Sequence, residues 1–224
     1  MILGIIPAKS FSRRIRNKNL YKFKGKHILE YTIDNLKKSK IFDEIHISTE
    51  SDKIAKIGTK HNLKPKFLRQ KKLTKNMVGL NDVVRFVLDE YKKKGMKFQT
   101  VCLAYATAPL LTPMDFKNAY KKFKESDEKF PLLSVGKYRP SLAMSMIKKK
   151  NVIQPKDKKI FFKDTKKNSD IFYDSGSFMF FNPVNFFSNK KFYYYYYELP
   201  YYKSIDIDTP EDMKIAEKLF LLKK

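Results

Sequence analysis

Two periods alternate along the chain. Short apolar runs, "ILGII", "EIHIS", "QTVCLAYA" and "PLLSV", read as strands, and the stretches between them carry apolar residues every three or four positions, as a helix does. From His27 to Lys40, "HILEYTIDNLKKSK" puts Ile28, Leu29, Thr32, Ile33 and Leu36 on one helical face. "SDKIAKIGTKHN" is a second helix opened by a Ser/Asp cap, and a third runs from about Leu80 to Lys94. Thr112 and Pro113 start a fourth as cap and first-turn proline. "TPEDM" starts the last, with Thr209 as N-cap, Pro210 behind it and Asp212 close to a capping-box position. Strands alternating with helices build βαβ units, so the expected fold class is α/β, a mainly parallel sheet flanked by helices. One domain over residues 1–224 accounts for a chain of this length.

One segment breaks the rhythm. From about Val135 to Tyr173 the chain is lysine-rich, with turn signals at "KKKN" and "PKDKK" and no long helical stripe. It reads as an excursion from the core, a hairpin arm bearing Tyr138, Leu142, Met144, Met146, Ile153, Phe161 and Phe162. The later tract "KKFYYYYYELPYYK" fits a strand, since tyrosine is a good sheet former. A stacking platform for single-stranded nucleic acid is the alternative there, but adjacent residues on a strand send their rings to both faces.

Charge sharpens that alternative without supporting it far. A net charge of +25 attracts polyanions. Only six of the 48 basic residues are Arg, the residue favoured for bidentate reading of phosphates and base edges; the rest are scattered Lys, as on a lysine-solvated surface. Cys102 is the only cysteine, which excludes an intrachain disulfide and fits a reducing cytoplasm. Within "TVCLAYA" it reads as a small buried hydrophobe. The N-terminal apolar run is too short for a signal peptide, and no run approaches a membrane span. A cytoplasmic protein without a membrane partner is expected.

Candidate chemistry collects where strands end. In a parallel sheet, ligands bind at the carboxyl ends of the strands, and the first β–α loop commonly cradles phosphate. Here that loop, Pro7 to Asn19, holds Lys9, Arg13, Arg14, Arg16 and Lys18 with Ser10 and Ser12 between them. Such cations and hydroxyls can hold a triphosphate and stabilise charge on departing pyrophosphate. Neither glycine-rich phosphate motif is present, which leaves a solvated basic loop as the rival reading. In "SIDIDTPEDM", Asp206 and Asp208 alternate with Ile205 and Ile207, so on a strand both carboxylates share one face, an arrangement suited to Mg²⁺. The small residues of "YATAPLL", Tyr105 to Leu111, leave room for a ligand.

Taken together, the motifs resemble the cytidylyltransferases that activate nine-carbon sialic-acid-like sugars with CTP. Members begin with a strand and a pattern close to A-R-x-x-S-K-R-x-x-x-K-N; here "AKSFSRRIRNKN" supplies Ala8, Lys9, Ser12, Arg13, Arg14, Lys18 and Asn19. "FKGKHILEYTID", "FDEIHISTESDKIA", Leu68 with Arg69, "ATAP", "YDSGSFMFF" and "SIDIDTPEDMKIAE" extend the resemblance over nearly the whole chain. It implies a Rossmann-like sheet of the nucleotide-diphospho-sugar transferase type with a protruding dimerisation arm, and therefore a homodimer. It implies that Lys9, Arg13 and Lys18 hold the CTP phosphates with Ala8, Ser12 and Asn19 beside them, that Arg69 approaches cytosine and ribose, and that Asp206 and Asp208 hold Mg²⁺. Arg13, Lys18, Asp206 and Asp208 would then be the catalytic set. For the sugar it implies Tyr105, Thr107, Asp174 and Ser177, with Arg139 meeting the sugar carboxylate across the dimer.

"YATAP" and "DSGSF" look like the pseudaminic acid type, which carries Y-A-T-A-P and D-A-G-Q-F, more than the N-acetylneuraminate type. Phe11 for a common glycine, Lys9 for Arg and Ser177 for Gln depart from the pattern. The expected partners are thus CTP and a nonulosonic acid, pseudaminic acid before N-acetylneuraminate or legionaminate. The expectation from another class is a basic nucleic-acid-binding protein.

Overall fold

The computed structural model describes residues 1–12, 14–75, 78–139, 142–161 and 171–222. Strand β1 (Ile2–Pro7) leads through the basic loop to a small antiparallel ribbon, β2 (Lys22–Phe23) and β3 (Lys26–His27), and then to α1 (Ile28–Ser39). Helix α1 starts where the sequence places it, and Glu30 accepts the His27 N–H at 2.7 Å to close its first turn. β4 (Glu44–Ser48), α2 (Asp52–Lys60), α3 (Leu80–Lys93), β5 (Thr100–Ala104), α4 (Pro113–Lys124) and β6 (Leu132–Lys137) follow the expected alternation. Next come a separate hairpin, β7 (Met146–Lys149) with β8 (Val152–Pro155), and the short α5 (Lys158–Phe161). The chain returns through β9 (Phe172–Phe181), α6 (Pro183–Ser188), β10 (Tyr195–Glu198) and α7 (Pro210–Leu221), whose N-cap Thr209 Oγ accepts the Asp212 N–H at 3.2 Å.

The main sheet has the order β10-β6-β9-β5-β1-β4. Every strand in it is parallel to the others except β9, which runs antiparallel between β5 and β6. The sheet is therefore mainly parallel, with one reversed strand in its middle. Alternate side chains of the central strands feed two cores. Ile6, Cys102, Ala104, Phe178 and Phe180 meet α1, α2 and α4 on one face, and Leu3, Ile5, Val101, Leu103 and Phe181 meet α3 on the other. Cys102 is wholly buried, and burial pushes its thiol far above the ordinary range, so it stays a protonated packing group.

Three expectations change. The segment expected to leave the sheet at Val135 stays in it to Lys137, and the return is already paired at Phe172 and Tyr173: Val135, Gly136 and Lys137 pair with Asp174, Tyr173 and Phe172. "SIDID" lies in no strand. Ile207 is nevertheless completely buried, against Ile15, Met213 and Ala216, so an extended segment docks its isoleucine without a ladder. Of the tyrosine tract, only Tyr195–Glu198 forms a strand, parallel to β6; Tyr195 and Tyr197 pack on the core while Tyr196 is exposed.

Candidate active site

Strands β1, β4 and β5 end on one edge of the sheet, and the loops after β1 and β5, with the segment that follows α2, surround a cleft of about 570 Å³. Lys9, Ser12, Arg14, Lys18 and Asn19 of the first loop form one wall, Arg69 and residues 73–75 and 78–80 another, and Tyr105 to Thr107 the floor after β5. The loop is braced at its start. Buried Ala8 donates its N–H to Ser48 O at 3.0 Å, and Asn19 Nδ2 donates to Lys9 O at 2.8 Å. Both fix the root from which Lys9 enters the cleft.

Arg69 is a buried cation, 5% exposed. Its Nε donates to Ser48 Oγ at 3.1 Å, its Nη2 to Ser48 O at 2.5 Å, and its own N–H to Thr49 O at 2.8 Å. The end of β4 thus aims a preorganised guanidinium at the cleft. From α1, Thr32 Oγ1 donates to Tyr105 O at 2.9 Å and Asn35 Nδ2 to Leu111 O at 2.9 Å, which ties the loop after β5 to the helix.

The carboxylates reach this cluster through its cations. Lys18 Nζ donates to Ile207 O at 2.6 Å and to Asp208 Oδ1 at 3.2 Å, and Arg14 Nη1 pairs with Asp208 Oδ2 at 2.6 Å. The packing of Ile15 and Ile207 in one apolar cluster explains how residues so far apart in sequence meet. Asp206 opens to solvent on one side, yet the surrounding protein, and after it the charge of Asp208, push its carboxyl above the usual carboxylate range; Lys18 and Arg14 pull the other way. The Asp206 carboxylate rests on Gly176, which takes a φ of +59° in a bulge of β9. Buried serines pin that bulge: Phe178 N donates to Ser134 Oγ at 2.9 Å and Ser175 Oγ to Ser134 O at 3.0 Å. Lys203 Nζ, which meets both oxygens of buried Asp115 at 2.8 and 2.9 Å, anchors the carboxylate segment to the start of α4.

A second cleft of about 380 Å³ shares Tyr105 with the first. Asp174, Asn81, Phe186, Phe192 and Tyr194 line it. The phenol of Tyr105 is pushed well above its ordinary range by burial, then by Asp174 and Asp206, and remains a hydrogen-bond donor.

The structure therefore gathers Lys9, Ser12, Lys18, Asn19, Arg69, Tyr105 and Thr107 around the first cleft, with Asp208 joined through Lys18 and Asp174 in the second. Two expected residues stand apart. Ser177 is buried, with its hydroxyl turned back onto Ser175 O at 3.3 Å, and Arg139 stacks over Tyr201 at 4.4 Å and lines neither cleft. Arg13 and Phe162 lie outside the described residues. Arg14 was not singled out by the sequence, because three arginines crowd one irregular loop and no period selects among them.

A cationic strand-end loop, a fixed arginine and a neighbouring carboxylate pair at the carboxyl edge of an α/β sheet define a nucleotidyltransferase. The family model described as Cytidylyltransferase matches residues 3–224, and the chain belongs to that family. It is 29% identical to the pseudaminic acid cytidylyltransferase of Campylobacter jejuni, over 97% of this chain and 95% of that one. It is 27% identical to the CMP-N,N'-diacetyllegionaminic acid synthase of Legionella pneumophila, over 99% and 97%. The fold matches a CMP:2-keto-3-deoxy-manno-octonic acid synthetase complexed with CTP at a TM-score of 0.72, with 10% identity over 100% of this chain and 99% of that one.

Proposed function

We propose that this chain transfers CMP from CTP to the anomeric hydroxyl of pseudaminic acid and releases pyrophosphate. The observation that carries the reading is the junction of Arg14 and Lys18 with Asp208 beside a cleft that shares Tyr105 with a second one. In this reading Arg69 faces the nucleoside end, while Lys9, Ser12, Arg14, Lys18 and Asn19 hold the triphosphate. The sugar occupies the second cleft, where Asp174 and Asn81 accept and donate hydrogen bonds and Phe186, Phe192 and Tyr194 cover its apolar substituents. The sugar hydroxyl gives its proton to solvent and forms the new P–O bond at the α-phosphate as the bond to the β-phosphate breaks, and the β- and γ-phosphates leave as pyrophosphate. Lys18 and Arg14 offset the charge that builds on it. Orientation and fixed charge supply the acceleration, with no covalent enzyme intermediate.

Asp206 and Asp208 are the residues that would hold Mg²⁺. Burial, and after it the charge of Asp208, raise the Asp206 carboxyl, and a hard cation with oxygen ligands would offset both. When bound, the ion supplies further neutralisation of phosphate charge.

A homodimer belongs to the same reading. Met144, Met146, Ile147, Val152 and Ile153 on and beside the β7–β8 hairpin are exposed, Val152 to 65% and Ile153 to 64%, and a second copy of the chain would cover them. Arg139 would then meet the sugar from the neighbouring subunit. We place the enzyme in the cytoplasm, where CTP is available; no helix among the described residues is long and apolar enough to cross a membrane.

The test is pyrophosphate release with CTP, Mg²⁺ and a panel of pseudaminic, legionaminic and N-acetylneuraminic acids. Turnover with CTP, greatest with pseudaminic acid, is expected. Greater turnover with legionaminic acid would move the assignment to that sugar, and no release with any of the three would overturn it. Light scattering should give a mass near twice 26.6 kDa.

A further inference from the structure

One charged group at the cleft opposes the proposed ligand. Glu50, two residues past β4, is an acid beside a cradle for a polyanion, and it does not line the cleft. Its Oε1 accepts two hydrogen bonds from Ser10, the N–H at 2.8 Å and the hydroxyl at 2.6 Å. Its Oε2 is buried and has no hydrogen-bond partner among the described residues. Its charge also acts on Arg69, where it offsets part of the burial that disfavours the guanidinium cation.

A partly buried carboxylate with one unpaired oxygen is costly to keep, and here it repels the incoming phosphates as well. What it does in return is structural and local. Asn19 pegs the loop at Lys9 O and Glu50 pegs the next residue through both of its donors, so Lys9 is held from two sides at the mouth of the cleft.

We propose that Glu50 is a positioning residue for CTP: through Ser10 it sets the phosphate loop, so that the triphosphate meets groups already in place. This rests on the reading of the first cleft as the CTP site. It separates two properties that loss of structure would change together, affinity for the nucleotide and affinity for the sugar.

The experiment is calorimetric titration of the full chain with CTP, alongside steady-state kinetics with the sugar varied. Glu50→Ala should weaken CTP binding by about tenfold or more, the scale of a lost charge-assisted pair of bonds, with the sugar KM unchanged. Glu50→Gln keeps an oxygen that can accept from Ser10 and should recover most of that loss. Ser10→Ala should weaken CTP binding by about threefold to tenfold, and adding it to Glu50→Ala should cost little more, because the two residues act as one unit. CTP affinity within about twofold of the parent in Glu50→Ala overturns the proposal, as does an equal loss for CTP and sugar or full additivity with Ser10→Ala. A parent chain that fails to bind CTP overturns the underlying assignment of the cleft instead.

Discussion

Substituting Gly176 by alanine tests the carboxylate site from beneath. A Cβ built on Gly176 lies 2.8 Å from the Asp206 Cγ and 2.9 and 3.1 Å from its two carboxylate oxygens. To regain ordinary contact the carboxylate must retreat by about 0.6 Å, or the bulge must open. The bulge resists opening: Gly176 N donates to Asp174 Oδ1 at 2.8 Å, and the buried serines hold it from the other side. Alanine at φ +59° also costs about 1–2 kcal/mol in the left-handed region. Misplacing a catalytic group by ~1 Å can cost ~100-fold, so Gly176→Ala should lower kcat by about 10- to 100-fold and raise the Mg²⁺ concentration needed for half-maximal rate. Pyrophosphate release titrated with Mg²⁺ measures both, and a thermal melt reports the backbone cost separately. A melt lowered as expected with kcat and Mg²⁺ dependence unchanged would show that Asp206 has no part in the chemistry.

Asp208→Asn should cut turnover by orders of magnitude, because it removes the partner of Lys18 and Arg14 together with a charge at the proposed metal site; near-normal rates would count against both roles. Lys18→Ala should raise the CTP KM or slow pyrophosphate departure by about 10- to 100-fold, the equivalent of ~1.5–3 kcal/mol for a charge-assisted contact, and unchanged CTP kinetics would return the loop to a solvated surface. His46 is buried against Phe67 and its pKa is lowered to about 3, first by desolvation and then by Arg69 and Lys66. The unfolded chain takes up this proton near pH 6.5 and the folded one does not, so stability is complete above that pH and falls as pH drops toward about 3. The loss is about 1.4 kcal/mol per pH unit at most, and His46→Phe should flatten that part of a melting-temperature profile; an unchanged slope would assign the acid sensitivity to other groups.

The elements that were legible in the sequence are those whose signals are local. Thr112 with Pro113 and Thr209 with Pro210 mark helix starts within a few residues, and α1 and α3 end within a residue of their expected limits. The reversed strand β9 was not legible, because "YDSGSFMFF" carries no local sign of its pairing direction, which is set by β5 and β6 on either side. The Ile/Asp alternation of "SIDID" misled for a related reason: extended backbone produces that pattern whether or not a neighbouring strand pairs with it. Site residues were legible where a loop could be placed after a strand. The bulge under Asp206 and the strut at Glu50 depend on contacts between distant segments and were not.

The reversed strand has a further consequence. Because β9 is antiparallel to β6, the chain leaves the sheet after Lys137 and re-enters it at Phe172 on the same rim, with Lys137 and Phe172 themselves paired. Everything between them is a detour that begins and ends at one doorway. Lengthening such a detour costs only about 0.6 kcal/mol for each doubling, so the intervening residues can be rewritten without disturbing the register of the six strands. The rim they depart from is the one where β1, β4 and β5 also end and where the first cleft lies. Sheet and first cleft can therefore be inherited unchanged while a modular insert beside them is replaced, a route by which one scaffold acquires new acceptors by grafting.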